Sequence, residues 1–292
     1  MQIQYVDRAS GQLMTESPPS EGLLKFLYHT AFGRGVILPL AKRKFITEVY
    51  GRRMDKPASV SRIPGFVAEL GIDLSEAQKS LEEFTSFNDF FYRKLKPGVR
   101  PIGEGFVSPG DGRLLAFEDA SGVNEFYVKG QPFTLPEFLA DRALADKFRN
   151  AVMLILRLAP NDYHRYHFPC AGTPTASQVI RGSYLSVSPH ALVKNFTKVF
   201  CENQRELTLL NGTDFGEVLL APVGAAMVGS IISTYQPDAP IQKGDEMGYF
   251  AFGGSSIVIL ADRDQLTIDA DLLENTRRGY ETFVRMGETI GR

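Results

Sequence analysis

Met247-Gly248-Tyr249-Phe250-Ala251-Phe252-Gly253-Gly254-Ser255-Ser256-Ile257-Val258-Ile259-Leu260 decides the fold class. Two apolar runs, Met247–Phe252 and Ile257–Leu260, flank a tetrad of small residues. Each run is short, and turn formers separate them, so the segment reads as two strands about a turn. The same texture extends back to Arg100. Leu114–Phe117, Glu125–Val128, Ala151–Leu158, Gln178–Leu185, Glu206–Leu210, Glu217–Leu220 and Ala226–Ile232 alternate with Gly, Pro and Asp turns. This predicts a predominantly antiparallel β domain with one helix near Leu135–Lys147. No fixed-period repeat interrupts it.

Upstream of Arg100 the pattern is helical. Residues 1–20 are polar and read as loose. Between Glu21 and Tyr50, Leu23, Leu24, Leu27 and Tyr28 share one helix face, and Gly33, Gly35 and Pro39 divide the stretch into two short helices. From Leu23 to Tyr50 the basic residues Lys25, Arg34, Lys42, Arg43 and Lys44 stand against the single acid Glu48, a pattern that suits an anionic membrane surface or a helix packed on its own protein. Helix starts are expected at Ser59–Arg62, at Asp73–Glu76 and at Thr85, with Phe87, Phe90 and Phe91 on one face and a stop at Lys96-Pro97-Gly98. The expected class is α+β, with a helical region over 1–84 and a β catalytic region over 85–292. Within the latter, Lys243-Gly244-Asp245-Glu246-Met247-Gly248 is similar to the tight turn of hammerhead-like folds.

Composition narrows the function. Among 292 residues, 32 Lys and Arg stand against 34 Asp and Glu, a net charge of −2, which argues against a nucleic-acid coat. The two cysteines, Cys170 and Cys201, make neither a disulfide framework nor a zinc site by themselves. The N-terminus lacks the order of a signal peptide. The uncharged run from Val218 to Pro237 is broken by Pro222, Gly224, Gly229 and several hydroxyl residues, so no membrane span is expected.

Three turn contexts carry groups able to do chemistry. His164 and His167 sit in Tyr163-His164-Arg165-Tyr166-His167-Phe168-Pro169. A metal site would need further ligands, and no HExxH pattern supplies them. Acid–base work suits two imidazoles held in such a loop better, although a purely structural pair fits too. Ser108-Pro109-Gly110-Asp111-Gly112 places a carboxylate in a tight turn, either as a plain turn residue or to orient a histidine. Gly254-Ser255 is either an ordinary turn or a self-cleavage site. Glycine admits close approach to its carbonyl, and the adjacent hydroxyl can attack it once a base removes its proton.

In order, five stretches resemble the phosphatidylserine decarboxylases, a family of pyruvoyl-dependent proenzymes. They are Phe91–Ile102, Ser108–Gly112 with Gly110 where the family has Ala, Lys129–Leu135, Tyr163–Pro169, and Asn195 through Arg205. Gly254-Ser255 follows in the last fifth of the chain, within Gly-Gly-Ser-Ser where many members read Leu-Gly-Ser-Thr.

The resemblance implies a self-cleavage triad of Asp111, His167 and Ser255. His167, oriented by Asp111, would deprotonate Ser255, which attacks the Gly254 carbonyl. The ester then eliminates to give a β chain of 1–254 and an α chain of 255–292 headed by dehydroalanine, whose imine tautomer takes up water and loses ammonia to leave a pyruvoyl group, the covalent cofactor, with no metal. That carbonyl would form a Schiff base with phosphatidylserine and accept electrons as CO2 leaves. His164 matches the position that helps decarboxylation to phosphatidylethanolamine. The implied protein is peripheral on the cytoplasmic face of the cell membrane, docks on anionic lipid, holds its two chains together and leaves homodimer formation open. A pyruvoyl enzyme for a soluble amino acid and an uncut lipid-binding module are the alternatives.

Overall fold

The computed structural model describes residues 3–16, 51–120, 122–126, 133–183, 197, 199–224, 231–251 and 255–292. Its strands are β1 (Ile3–Asp7), β2 (Leu13–Glu16), β3 (Phe106–Val107), β4 (Gly112–Phe117), β5 (Ala151–Leu158), β6 (Arg165–His167), β7 (Thr173–Pro174), β8 (Gln178–Ile180), β9 (Arg205–Thr213), β10 (Gly216–Gly224), β11 (Ile231–Ser233), β12 (Glu246–Phe250), β13 (Ser255–Asp262), β14 (Glu281–Val284) and β15 (Thr289–Gly291). The helices are α1 (Ile63–Leu70), α2 (Phe87–Phe91), α3 (Gly122–Phe126), α4 (Leu135–Leu139), α5 (Arg142–Lys147) and α6 (Ala270–Arg277), with a 3-10 turn over Pro57–Arg62. The protein is α+β and mostly antiparallel.

A large sheet runs β2-β1-β14-β4-β5-β13-β10-β9-β7, with β8 also on β9. The pairing of β1 with β14 is parallel; β5, β13 and β10 lie antiparallel at its centre. All eight residues of β5, Ala-Val-Met-Leu-Ile-Leu-Arg-Leu, are buried. Covered on both faces, such a strand loses the alternation of a half-exposed one and reads as a nearly continuous apolar run. A smaller sheet, β11-β12-β6, stands beside it, and β15 pairs with β3.

A second core fills the helical region: Met54, Ile63, Ala77, Phe84, Phe87, Phe90 and Phe91 are buried together. Phe66 meets Phe87 edge-on at 5.1 Å, and Phe84 meets Phe90 at 5.6 Å. Each fully buried phenyl contributes roughly 1.5–3 kcal/mol. Ser86 caps α2 by accepting the Asp89 N–H at 3.1 Å, which starts the helix two residues after Thr85 and points its aromatic face inward.

Several sequence expectations need correction. Residues 3–16, read as loose, form the β1–β2 hairpin on the edge of the large sheet. No helix starts at Asp73; its carboxylate is used within two residues, on the Ser75 N–H and hydroxyl, both at 2.8 Å, and closes a turn. Glu125 and Phe126 belong to α3 rather than a strand. Leu135–Lys147 is two helices, broken at Ala140 (φ 53°) and restarted by the Asp141 cap. α6, β14 and β15 are further elements that the sequence pattern does not predict. The expected helices between Glu21 and Tyr50 lie outside the described residues.

A buried charge network ties the hairpin to the sheet centre. Arg157 holds Glu16 at 2.6 Å and Glu281 at 2.5 Å. Arg113 pairs with Asp162, and its Nε lies 3.5 Å from Glu16. Removing one partner would leave an uncompensated buried charge, so this network is costly to break even where its net contribution is small.

Candidate active site

The strand ladder positions Ser255. As the first residue of β13 it lies opposite Leu158 on β5 and Gly224 on β10. After Leu158 the chain turns, and the turn is held by Asp162, whose carboxylate accepts the Ala159 N–H at 2.6 Å. This delivers His164, whose carbonyl accepts the Phe250 N–H at 3.0 Å. Phe250 ends β12, and Ser255 starts β13. Both flanks of the Gly254-Ser255 connection are thus pinned to one short segment, 158–164. Gly254 itself lies outside the described residues. The Ser255 and Ser256 hydroxyls are buried and have no hydrogen-bond partner among the described residues. A buried, unpartnered hydroxyl is unusual, because it forfeits its hydration for nothing, and such groups mark functional sites.

His164 is wholly buried and stacks on Phe91, with ring centroids 3.9 Å apart and planes at 20°. Neither ring nitrogen has a hydrogen-bond partner among the described residues. Burial, aided by the Arg93 charge, brings its pKa from 6.5 down to about 3; the carbonyls of Ala159 and Pro160 pull weakly the other way without reaching bonding geometry. The imidazole is neutral at any ordinary pH.

His167 lies at the far end of β6 from His164, opposite Glu246. Its Nδ1 is 2.9 Å from the Gly244 carbonyl and its Nε2 is 3.0 Å from the Tyr163 hydroxyl. A carbonyl can only accept, so Nδ1 carries the proton and Nε2 holds the lone pair that Tyr163 donates to. Burial lowers the His167 pKa, while the Gly244 carbonyl resists the fall. Gly244 reaches this position with φ +87°, a conformation that favours glycine.

Asp111 is close but turned elsewhere. Its carboxylate takes two arms of Arg100, Nε at 3.0 Å and Nη2 at 2.7 Å, and the Met286 N–H at 2.8 Å. The link to His167 runs through the backbone, where the His167 N–H donates to the Pro109 carbonyl at 2.8 Å. Among the described residues no hydrogen bond joins Asp111, His167 and Ser255 to one another. The structure gathers Ser255 and His164 around one connection, and Asp111 and His167 around another.

Three contributors were not assigned from sequence: Tyr163 on His167 Nε2, Gly244 on the His167 tautomer, and Phe91 beneath His164. Their signal was adjacency, since Tyr163 neighbours one histidine and Phe91 opens a quoted motif. Gly244 gave no sign beyond its turn. Cys170 and Cys201 are free thiols, each pushed up to about 12 by burial. Among the described residues no group of three His, Cys, Asp or Glu could hold a metal ion, and no helix is long and apolar enough to cross a membrane.

Comparison with known proteins adds a family. The model of the family described as phosphatidylserine decarboxylase matches residues 87–292. A phosphatidylserine decarboxylase proenzyme of Fusobacterium nucleatum is 45% identical over 292 residues, covering 99% of this chain and 97% of the relative. One from Desulfitobacterium hafniense strain Y51 is 42% identical, covering 99% and 98%. One from Clostridium perfringens strain SM101 is 42% identical over 271 residues, covering 92% of each.

Proposed function

The chain belongs to the phosphatidylserine decarboxylase family, and from that premise we propose that it cuts itself between Gly254 and Ser255 and then converts phosphatidylserine to phosphatidylethanolamine and CO2. The observation that carries this reading is the Ser255 hydroxyl, buried without a partner at the head of a central strand. An idle hydroxyl there fits a residue waiting to be consumed. The same atom fits as the source of a pyruvoyl group, whose carbonyl would supply the electron sink for CO2 loss.

The chain's own residues divide the work. His167 Nε2, the unprotonated nitrogen, is the base for the Ser255 proton once the Tyr163 hydroxyl gives way. Asp111 lies near enough for its charge to favour the imidazolium that results. Its turn also carries the Pro109 carbonyl that fixes the His167 backbone. Ser255 then adds to the Gly254 carbonyl, and elimination from the ester separates a 1–254 chain from a 255–292 chain. His164, neutral and stacked on Phe91, forms an apolar wall with one N–H. Such surroundings favour losing a carboxylate's charge, and the opened chain would give its ring access to a proton for the product carbon. We assign docking on an anionic membrane at the cytoplasmic face to residues 1–84 and the chemistry to 85–292.

A denaturing mass spectrum of the purified protein tests the reading. Two chains are expected, the smaller beginning with a blocked, carbonyl-reactive group, while Ser255→Ala gives one species near 32.4 kDa. Decarboxylation by a wholly uncut chain would overturn it.

A further inference from the structure

Arg93 has hydrogen-bonding capacity that the proposed chemistry does not use. It follows α2, lies 5.4 Å over the Phe90 ring, and is 7% exposed. Its Nη2 makes two long bonds, 3.3 Å to the Asn161 carbonyl and 3.4 Å to the Asp162 carbonyl. Its Nε and Nη1 are buried with no hydrogen-bond partner among the described residues. Other buried arginines differ. Arg100, Arg113, Arg157 and Arg165 each pair with a carboxylate, and Arg205 spends all three nitrogens on carbonyls. A guanidinium offers a planar fork suited to carboxylate or phosphate, and leaving two arms of it dry and empty is costly.

The position of Arg93 names the occupant. Its Nη2 reaches the carbonyls of Asn161 and Asp162, on the segment that leads into His164, and its charge is felt at that ring. It therefore stands among the site residues, on the segment that also supplies Phe91. Resting on the function proposed above, we infer that Arg93 is a specificity residue that takes the phosphodiester of the lipid head group. The substrate's other anion, the carboxylate, is the poorer candidate. A guanidinium bound to it would hold the ground state more tightly than the transition state, where charge is leaving that group, and so would slow the reaction. The phosphodiester keeps its charge throughout, so binding it stabilises both states alike. In the uncut chain Nε and Nη1 are shut from solvent, so the assignment applies to the cut form.

The test uses mature wild type, Arg93→Gln and Arg93→Lys, each first checked on a denaturing gel for the cut. Kinetics on phosphatidylserine in detergent micelles are run with acetate and with glycerophosphoethanolamine, a phosphodiester without a carboxylate, as competitors. Binding of glycerophosphoethanolamine is also measured by calorimetry. Arg93→Gln should be cut normally and show KM raised about ten- to a hundredfold, the scale of a lost charge-assisted pair, with kcat much less affected. Glycerophosphoethanolamine should compete in wild type and not in Arg93→Gln, with Arg93→Lys between them; acetate should not compete. An unchanged KM with collapsed kcat, equal competition in both proteins, or stronger competition by acetate overturns the assignment. If Arg93→Gln is not cut, wild type and Arg93→Lys decide: no phosphodiester binding to wild type overturns it. Failure of the underlying function would show differently, as wild type releasing no CO2 from phosphatidylserine, and the calorimetric arm still reports on Arg93.

Discussion

His164→Leu, made in an uncut Ser255→Ala chain, should flatten the response of stability to acid. Wild-type His164 is neutral when folded, with a pKa near 3, against 6.5 for an exposed imidazole. Below pH 6.5 the unfolded chain takes up a proton that the folded chain refuses until pH nears 3. Stability therefore falls as acid is added, by up to about 1.4 kcal/mol per pH unit across that window. Between pH 7 and pH 5 this one ring accounts for a loss of about 2 kcal/mol. Leucine carries no proton and leaves no unpartnered nitrogen against Phe91, so the variant should keep its stability at pH 7. The assay is urea unfolding at pH 7 and pH 5 for both chains, with the drop in each compared. Other groups, His167 among them, titrate in both proteins and cancel. Drops that agree within about 0.5 kcal/mol would refute a buried, neutral His164, because a ring that titrates alike in both states contributes nothing to the pH response.

His167→Ala should abolish self-cleavage, whereas His164→Ala should leave some cleavage and lose turnover; denaturing gels and CO2 release separate the two, and the reverse pattern would exchange their roles. Tyr163→Phe removes the donor on the base nitrogen, which eases protonation of His167, so the acid limb of the cleavage rate should move to higher pH by about half a unit to one unit; a uniform loss at every pH would mean that Tyr163 only packs. Replacing Lys42, Arg43 and Lys44 together by Gln should weaken binding to anionic liposomes and leave cleavage intact, since each basic group near such a surface is worth about 1 kcal/mol and salt screens it. Unchanged liposome binding there would place the dock elsewhere.

What the sequence made legible was whatever a local pattern encodes. β5, β12 and β13 were readable because each is a short apolar run between turn formers. α2 was readable because Ser86 caps an aromatic face. β1 was not, because its pairing partner β14 lies almost the whole chain away and the hairpin itself is polar and largely exposed. Asp73 shows the opposite failure, a capping residue whose side chain was consumed by a turn. Within the site, Asp111, His164, His167 and Ser255 could be singled out by type and motif. Which atom each would face could not. Arg100 takes the carboxylate expected for the histidine, and Tyr163 takes the histidine nitrogen expected for the serine. Those choices are made by tertiary packing, through a backbone bond from His167 to Pro109 and a carbonyl at Gly244.

The place of residues 255–292 in the large sheet would outlast a cut of the peptide bond before them. β13 lies between β5 and β10, and β14 between β4 and β1, while β15 closes on β3. A break ahead of Ser255 therefore liberates an end and no fragment, since two of the three strands are bracketed on both edges. Before the break, folding is a one-chain reaction whose odds do not depend on dilution. After it, recovery from unfolding becomes a second-order encounter between two chains, and at low concentration the losing side of that race is refolding. The matured molecule would then endure by the slowness of its escape, measured as a lifetime, more than by any equilibrium it could return to. On the proposed function, the sheet would have to assemble before the cut.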